Sequence, residues 1–125
     1  MQKSHTISIF IDRKPDQVFD LLLDWPSRIS ENAKKQDDGW WSFETTRGPA
    51  KLRFKENKEF GILDHQFVDE EATWDVPMRV VPNDQGSELM ITLFQSPSFS
   101  DELFSQRMDE MQQVMEAIKA TMEKI

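Results

Sequence analysis

Cysteine and tyrosine are absent from this chain, and only four glycines and two histidines occur among its 125 residues. Without cysteine there is neither a disulfide framework nor a thiolate nucleophile. The glycines, Gly39, Gly48, Gly61 and Gly86, stand apart from one another. No glycine-rich loop is therefore present whose amides could cradle a phosphate. Two histidines without a His-x-Glu or His-x-x-x-His spacing cannot assemble a zinc site, so no metal or other cofactor is indicated. No apolar run approaches the ~18 residues that a spanning helix needs. The opening Met1-Gln2-Lys3-Ser4-His5-Thr6 leads straight into an alternating segment, without the apolar core of a signal peptide. A soluble cytoplasmic protein is expected. Positive charge is scarce too: 15 Lys and Arg face 23 Asp and Glu, a formal charge of −8. That sign argues against nucleic acid, whose affinity comes largely from cations neutralising phosphates, and against an anionic membrane surface.

What the chain does hold is bulk. Nine Phe, four Trp and seven Met offset a modest apolar fraction and predict a core of few but large members. The length suits one domain, residues 1–125, with a core that needs no staples.

The most organised stretch is the last. From Phe104 the large apolar residues fall at Met108, Met111, Met115, Ile118, Met122 and Ile125, steps of four and three that draw one stripe down a helix. Leu103 and Val114 widen the stripe, while Asp109, Glu110, Gln112, Gln113, Glu116, Lys119 and Glu123 face away. Ser100 is a good N-cap, and Asp101 and Glu102 suit the positive end of the helix dipole. A stripe this long needs a cover.

Upstream, residues 4–12 alternate as a half-buried strand through Ile7, Ile9 and Ile11. Pro15 suits the first turn of a helix carrying Val18, Phe19, Leu22 and Leu23, which stops before Pro26. A second short helix follows with Ile29 and Ala33, ending in the polar run Lys34 to Gly39. From Trp40 to Gln95 the pattern is β. Ala50, Leu52 and Phe54 alternate with Lys51, Arg53 and Lys55; Leu63, His65 and Phe67 alternate with Asp64 and Gln66. Turns at Arg47-Gly48-Pro49, Asn57-Lys58-Glu59, Asp69-Glu70-Glu71 and Pro82 to Gly86 join strands that must pair antiparallel. Pro77 falls inside one strand and predicts a β-bulge there. The expected fold is α+β: an antiparallel sheet of about six strands, two short helices after the first strand, and a long C-terminal helix against one face.

This layout resembles the START-like or SRPBCC helix-grip superfamily, in which a curved antiparallel sheet wraps a long C-terminal helix. Ile9-Phe10-Ile11-Asp12 through Pro15-Asp16-Gln17-Val18-Phe19 looks like its opening strand and helix. Gly61-Ile62-Leu63-Asp64-His65, Pro77-Met78-Arg79-Val80-Val81-Pro82-Asn83 and Gly86-Ser87-Glu88 resemble its bacterial polyketide cyclase/dehydrase-like branch. The resemblance implies an apolar cavity between sheet and helix that binds lipids, polyketides or other hydrophobic molecules, catalytic in a few branches.

Trp41, Phe54, His65, Trp74, Met78, Phe104, Met108 and Met111 are the candidate ligand contacts. An ordinary filled core would satisfy the same periodicity. Methionine, however, specifies packing poorly and is over-used at adaptable binding surfaces, and four Met share the helix stripe. Strand parity places His65 among apolar neighbours. It would serve as a hydrogen-bonding anchor or a general acid or base, or simply as a core histidine satisfied by a carbonyl or carboxylate. Asp64 points to the opposite face and cannot orient it as a triad would, so His65 is a weak catalytic candidate. Arg79 would either hold a ligand carboxylate or pair with Asp64 or Glu88, and Thr45 is a further candidate for orienting a ligand. The row Lys51, Arg53, Lys55 is expected to pair with Glu44, and Trp25 and Trp40 to form a lid or hinge packing. Phe10, Met90 and Phe94, if outward, would serve as a homodimer contact.

The reading that follows is a binder of a small hydrophobic or amphipathic molecule. Its rivals are a cyclase, dehydratase or hydrolase using His65, and a protein-interaction module with a filled core, as in the chaperone-ATPase activator relatives of the superfamily.

Overall fold

The computed structural model describes all of residues 1–125. Strand β1 (Ser4–Ile11) leads into helices α1 (Pro15–Leu23) and α2 (Trp25–Ile29), and a two-residue strand β2 (Lys34–Lys35) follows. Strands β3 (Trp41–Thr45), β4 (Gly48–Asn57), β5 (Ile62–Val68), β6 (Thr73–Val76), β7 (Met78–Asn83) and β8 (Gly86–Phe94) make the meander, and α3 (Asp101–Met122) closes the chain. The sheet is open and antiparallel, in the order β1-β8-β7-β5-β4-β3-β2, with β6 paired to β5. The two short helices carry the chain from one edge of the sheet to the other. The meander then steps back until β8 pairs with all of β1, from Ser4↔Phe94 to Ile11↔Ser87.

The expected α+β arrangement is present, with eight strands where about six were counted. One addition is β2. Lys34 and Lys35, read above as the tail of a helix, instead pair with Ser42 and Trp41. Gly39, at φ +89°, makes the return turn that a side chain would resist: its N–H donates to the Gln36 carbonyl, and the Gln36 N–H to that of Trp40. The other comes from Pro77, which splits the expected strand into β6 and β7. No bulge forms there. His65↔Val76 and Ile62↔Arg79 lie three residues apart on both strands, so no residue is inserted. The Asp64 carboxylate fills the break, accepting from the Met78 N–H at 3.0 Å and from the Arg79 guanidinium. Gly61 serves a close approach, since a Cβ there would lie 2.1 Å from the Val80 carbonyl oxygen.

Burial follows parity. Ile7, Ile11, Leu89, Ile91 and Leu93 face inward and are buried, together with Leu63 and Val80. They meet Val18, Phe19 and Leu22 of α1 and Met115, Ile118 and Met122 of α3 in one core. Ser100 caps α3, its hydroxyl accepting from the Leu103 N–H. The helix stops at Met122, short of Ile125, which is half exposed. Its C-terminal half is tied to the end of β1: Lys119 Nζ donates to the Phe10 carbonyl at 2.7 Å, the Asp12 N–H to the Glu123 carboxylate at 2.8 Å, and Arg13 to the Glu123 carbonyl. β1 is accordingly the strand that α3 lies nearest.

The outer face is polar and differs from expectation in one respect. Lys51 and Arg53 pair with no glutamate; they sit 4.6 and 4.9 Å from the centroid of the Trp40 ring, a cation–π arrangement. Trp40 is therefore an outer-face platform and forms no lid. Phe10 and Phe94 are exposed on the outer side of β1 and β8.

Candidate ligand-binding cavity

Because α3 hugs β1, it stands away from β3, β4 and β5, and the wedge between them is not filled. A cavity of about 310 Å³ lies there. Met108, Met111, Val114, Met115 and Ile118 of α3 form one wall. Phe43, Leu52, Phe54, His65 and Phe67 form the ring-rich wall opposite, and Trp74, Val76, Met78, Ile91 and Leu93 complete the floor. Leu22, Trp25, Pro26 and Ile29 close one end. Ile29 and Val114, both part of the lining, are 58% and 45% exposed. They mark an apolar opening between α2 and α3.

The other end is charged. Arg47 on the β3–β4 turn, Glu71 on the β5–β6 turn, and Arg107 and Glu110 on α3 form one ion-pair cluster. Arg107 grips Glu71 with two hydrogen bonds, Nε to Oε1 at 2.9 Å and Nη2 to Oε2 at 2.8 Å, and also meets Glu110 at 3.2 Å. Arg47 reaches Glu71 at 3.0 Å and Glu110 at 3.1 Å. The bidentate pair is the strong geometry for such contacts. The hydrogen bonds from Arg107 hold the Glu71 carboxyl below its usual range, with Arg107 itself shifted upward.

His65 is the one titratable side chain within the apolar part of the lining. Its Nδ1 lies 3.0 Å from the Leu63 carbonyl. A carbonyl only accepts, which assigns the proton to Nδ1 and leaves Nε2 as an acceptor. The ring meets Phe54 edge-on, with centroids 5.5 Å apart. Desolvation lowers its pKa, against smaller opposing effects of the Leu63 carbonyl and Asp64, so the imidazole is neutral at pH 7. Asp64 faces the other side, engaged with Met78 and Arg79, and no general acid–base pair forms. No three His, Asp or Glu side chains converge in a way that could hold a metal ion.

Of the eight residues singled out as ligand contacts, Phe54, His65, Trp74, Met78, Met108 and Met111 line the cavity. Trp41 does not: it packs with Phe43 and Ala50 in a separate small cluster toward the β2 edge. Nor does Phe104, which stacks on Trp74 with centroids 6.4 Å apart while Phe99 meets the same ring edge-on at 5.2 Å. These three rings plug the wedge near the start of α3. Arg79, one of the groups considered for orienting a ligand, pairs with Asp64 on the outer face. Thr45 lines the cavity, but its hydroxyl donates to the Gly48 carbonyl and accepts from the Arg47 N–H. Sequence reasoning missed the charged cluster. Nothing in the chain announces it, since Arg107 and Glu71 are 36 residues apart. A second depression, of about 590 Å³, lies near β2, β3 and β4 with a largely polar lining including Asn32, Lys34, Glu44 and Lys51.

No protein-family model matches the sequence, and no curated protein matches it either. Solved structures do match in fold. The crystal structure of Ara h 8.0201 superposes with a TM-score of 0.74 over 100% of both chains at 10% identity. A START superfamily protein from Mycobacterium smegmatis gives 0.71 over 99% of both at 7% identity. CalU16 from Micromonospora echinospora gives 0.63 over 98% of this chain and 73% of its own, at 17% identity. The chain thus has the START-like helix-grip fold. No helix in it is long and apolar enough to cross a membrane.

Proposed function

We propose that this protein binds a small hydrophobic or amphipathic molecule in the space between β3–β5 and α3, and that it acts as a carrier or receptor in the cytoplasm rather than as a catalyst. One observation carries the reading: the wall of α3 that faces the ring-rich strands is methionine-rich and stands over about 310 Å³ of unfilled, mainly apolar space. At ~30 Å³ per water this is roughly ten waters' worth of volume, room for a molecule of about ten to fifteen non-hydrogen atoms. Apolar burial would supply affinity at ~25 cal/mol per Å². The adaptable thioethers of Met108, Met111 and Met115 would mould to its shape. The fold shared with Ara h 8.0201 and the START superfamily protein supports the same reading.

The test is to fill the space. Met111→Trp should abolish binding of an uncharged environment-sensitive naphthalene dye while leaving the melting temperature at or above that of the parent. Native mass spectrometry of protein taken from cells should show a retained small molecule that the variant lacks. Equal dye binding by parent and variant would remove the cavity from consideration.

A further inference from the structure

The lining says what kind of polar group the bound molecule carries. We infer that the ligand is an uncharged molecule that presents one hydrogen-bond donor, a phenol, alcohol or N–H, to Nε2 of His65, and that this cavity discriminates against carboxylates and other anions. The inference rests on the cavity-binding reading above and assigns the chemistry of the ligand's polar end.

Three observations converge. First, the Leu63 carbonyl fixes the His65 tautomer at 3.0 Å, leaving Nε2 with an acceptor lone pair. Nε2 has no protein partner. It is not sealed off either, because the one fully buried side-chain polar atom left unpaired is Gln95 Oε1, on the connection between β8 and α3. Second, the remaining polar groups of the lining are already engaged. The Thr45 hydroxyl is used as donor and acceptor by the backbone. Arg47 and Arg107 are held by Glu71 and Glu110, and the Asp69 carboxylate accepts from the Glu71 and Ala72 N–H groups. Third, the charge balance is wrong for an anion. Two guanidinium groups stand against the three carboxylates of Asp69, Glu71 and Glu110, and burial disfavours a proton on His65. No uncompensated positive charge therefore faces the space, and an anion would enter without a counter-charge. A donor on the ligand satisfies Nε2; a ligand without one leaves that lone pair dry and unpaired, which costs affinity.

The test uses four probes of the right size that share one ring system: naphthalene, 2-naphthol, 2-methoxynaphthalene and 2-naphthoate, titrated by calorimetry into the full chain at pH 7.5. The parent protein should bind 2-naphthol about five- to tenfold more tightly than 2-methoxynaphthalene, the ratio that one neutral hydrogen bond supplies, and 2-naphthoate should bind most weakly. In His65→Phe the preference for 2-naphthol over 2-methoxynaphthalene should collapse to near unity, while 2-naphthol binding should perturb the imidazole resonances of the parent in NMR spectra. The parent alone decides the matter if the variant folds poorly. Naphthalene binding with no preference for naphthol, or with naphthoate tightest, overturns the head-group assignment and leaves the cavity standing. Binding of none of the four overturns the cavity reading, and the head-group assignment falls with it.

Discussion

The two halves of the sheet are built from different side chains and do different things. Strands β1, β8 and β7 present Ile7, Ile11, Leu89, Ile91, Leu93 and Val80 inward, all buried. Branched aliphatic groups of that size interdigitate to native density, and α3 lies closest on this side. Strands β3, β4 and β5 present Phe43, Leu52, Phe54, His65 and Phe67. Four of these are flat rings, which cannot follow the ridges of a helix from a distance. The backbone tethers at Lys119, Glu123 and Arg13 fix α3 to the aliphatic edge, so the other half of the sheet diverges and space remains. The aliphatic half packs most of the core, and the ring-rich half supplies one wall of the cavity, with Met78 of β7 and Ile91 and Leu93 of β8 in its floor. Stability and ligand selection therefore weigh differently on the two halves of a single sheet.

The sharpest way to break that division is by truncation on each side. Leu89→Ala, at a fully buried position, should cost about 2–5 kcal/mol, read as a lowered urea midpoint, with naphthalene affinity unchanged in the folded fraction. Met111→Ala, half-buried beside space that already exists, should cost about 1 kcal/mol or less and instead alter which probes bind. Equal losses of stability would show that the two halves pack alike.

A smaller effect comes through pH. Burial depresses the His65 pKa in the folded protein, so between that value and about 6.5 the unfolded chain binds the extra proton. Stability is then full above about pH 6.5 and declines as pH falls toward the folded pKa. His65→Gln, which keeps a donor for the Leu63 carbonyl, should flatten the urea-midpoint profile between about pH 7 and pH 5. Glu71 and Glu123, also depressed, act in the same direction but below the ordinary carboxylate range. A parent profile already flat near pH 6 would refute the buried, neutral imidazole.

A change in stability as small as that of Met111→Ala is expected at the charged end. Arg107→Met removes the bidentate grip on Glu71 and should cost up to about 1 kcal/mol, as partly exposed pairs do. Its larger consequence should be kinetic: faster probe dissociation in stopped-flow measurements, since the β3–β4 and β5–β6 turns are no longer strapped to α3. Unchanged dissociation would leave the apolar opening at Ile29 and Val114 as the sole route.

Much of this was legible beforehand. Periodicity located α3, its cap and its stripe, and parity assigned an inward face to every long strand, His65 included. The resemblance supplied the helix-grip arrangement. The strand β2 was not legible, since two lysines carry no periodicity and the turn depends on one residue, Gly39. Pro77 misled for a related reason: a missing N–H signals a break, but only the neighbouring Asp64 decides whether register slips. Trp41 shares the strand parity, and Phe104 the helix stripe, of the cavity residues, and both still lie outside it, because periodicity fixes a face and says nothing of position across it.

The amino-acid sequence by itself determined which residues are inward, where the helix runs, and that methionine and aromatic rings would meet across the core, because these follow from spacing along one chain. Whether those groups meet fully or leave a gap was decided by where α3 is pinned, and that depends on contacts such as Lys119 to Phe10 and Arg107 to Glu71 between residues far apart in the chain. A void is a property of two surfaces at a set separation. No local pattern encodes that separation.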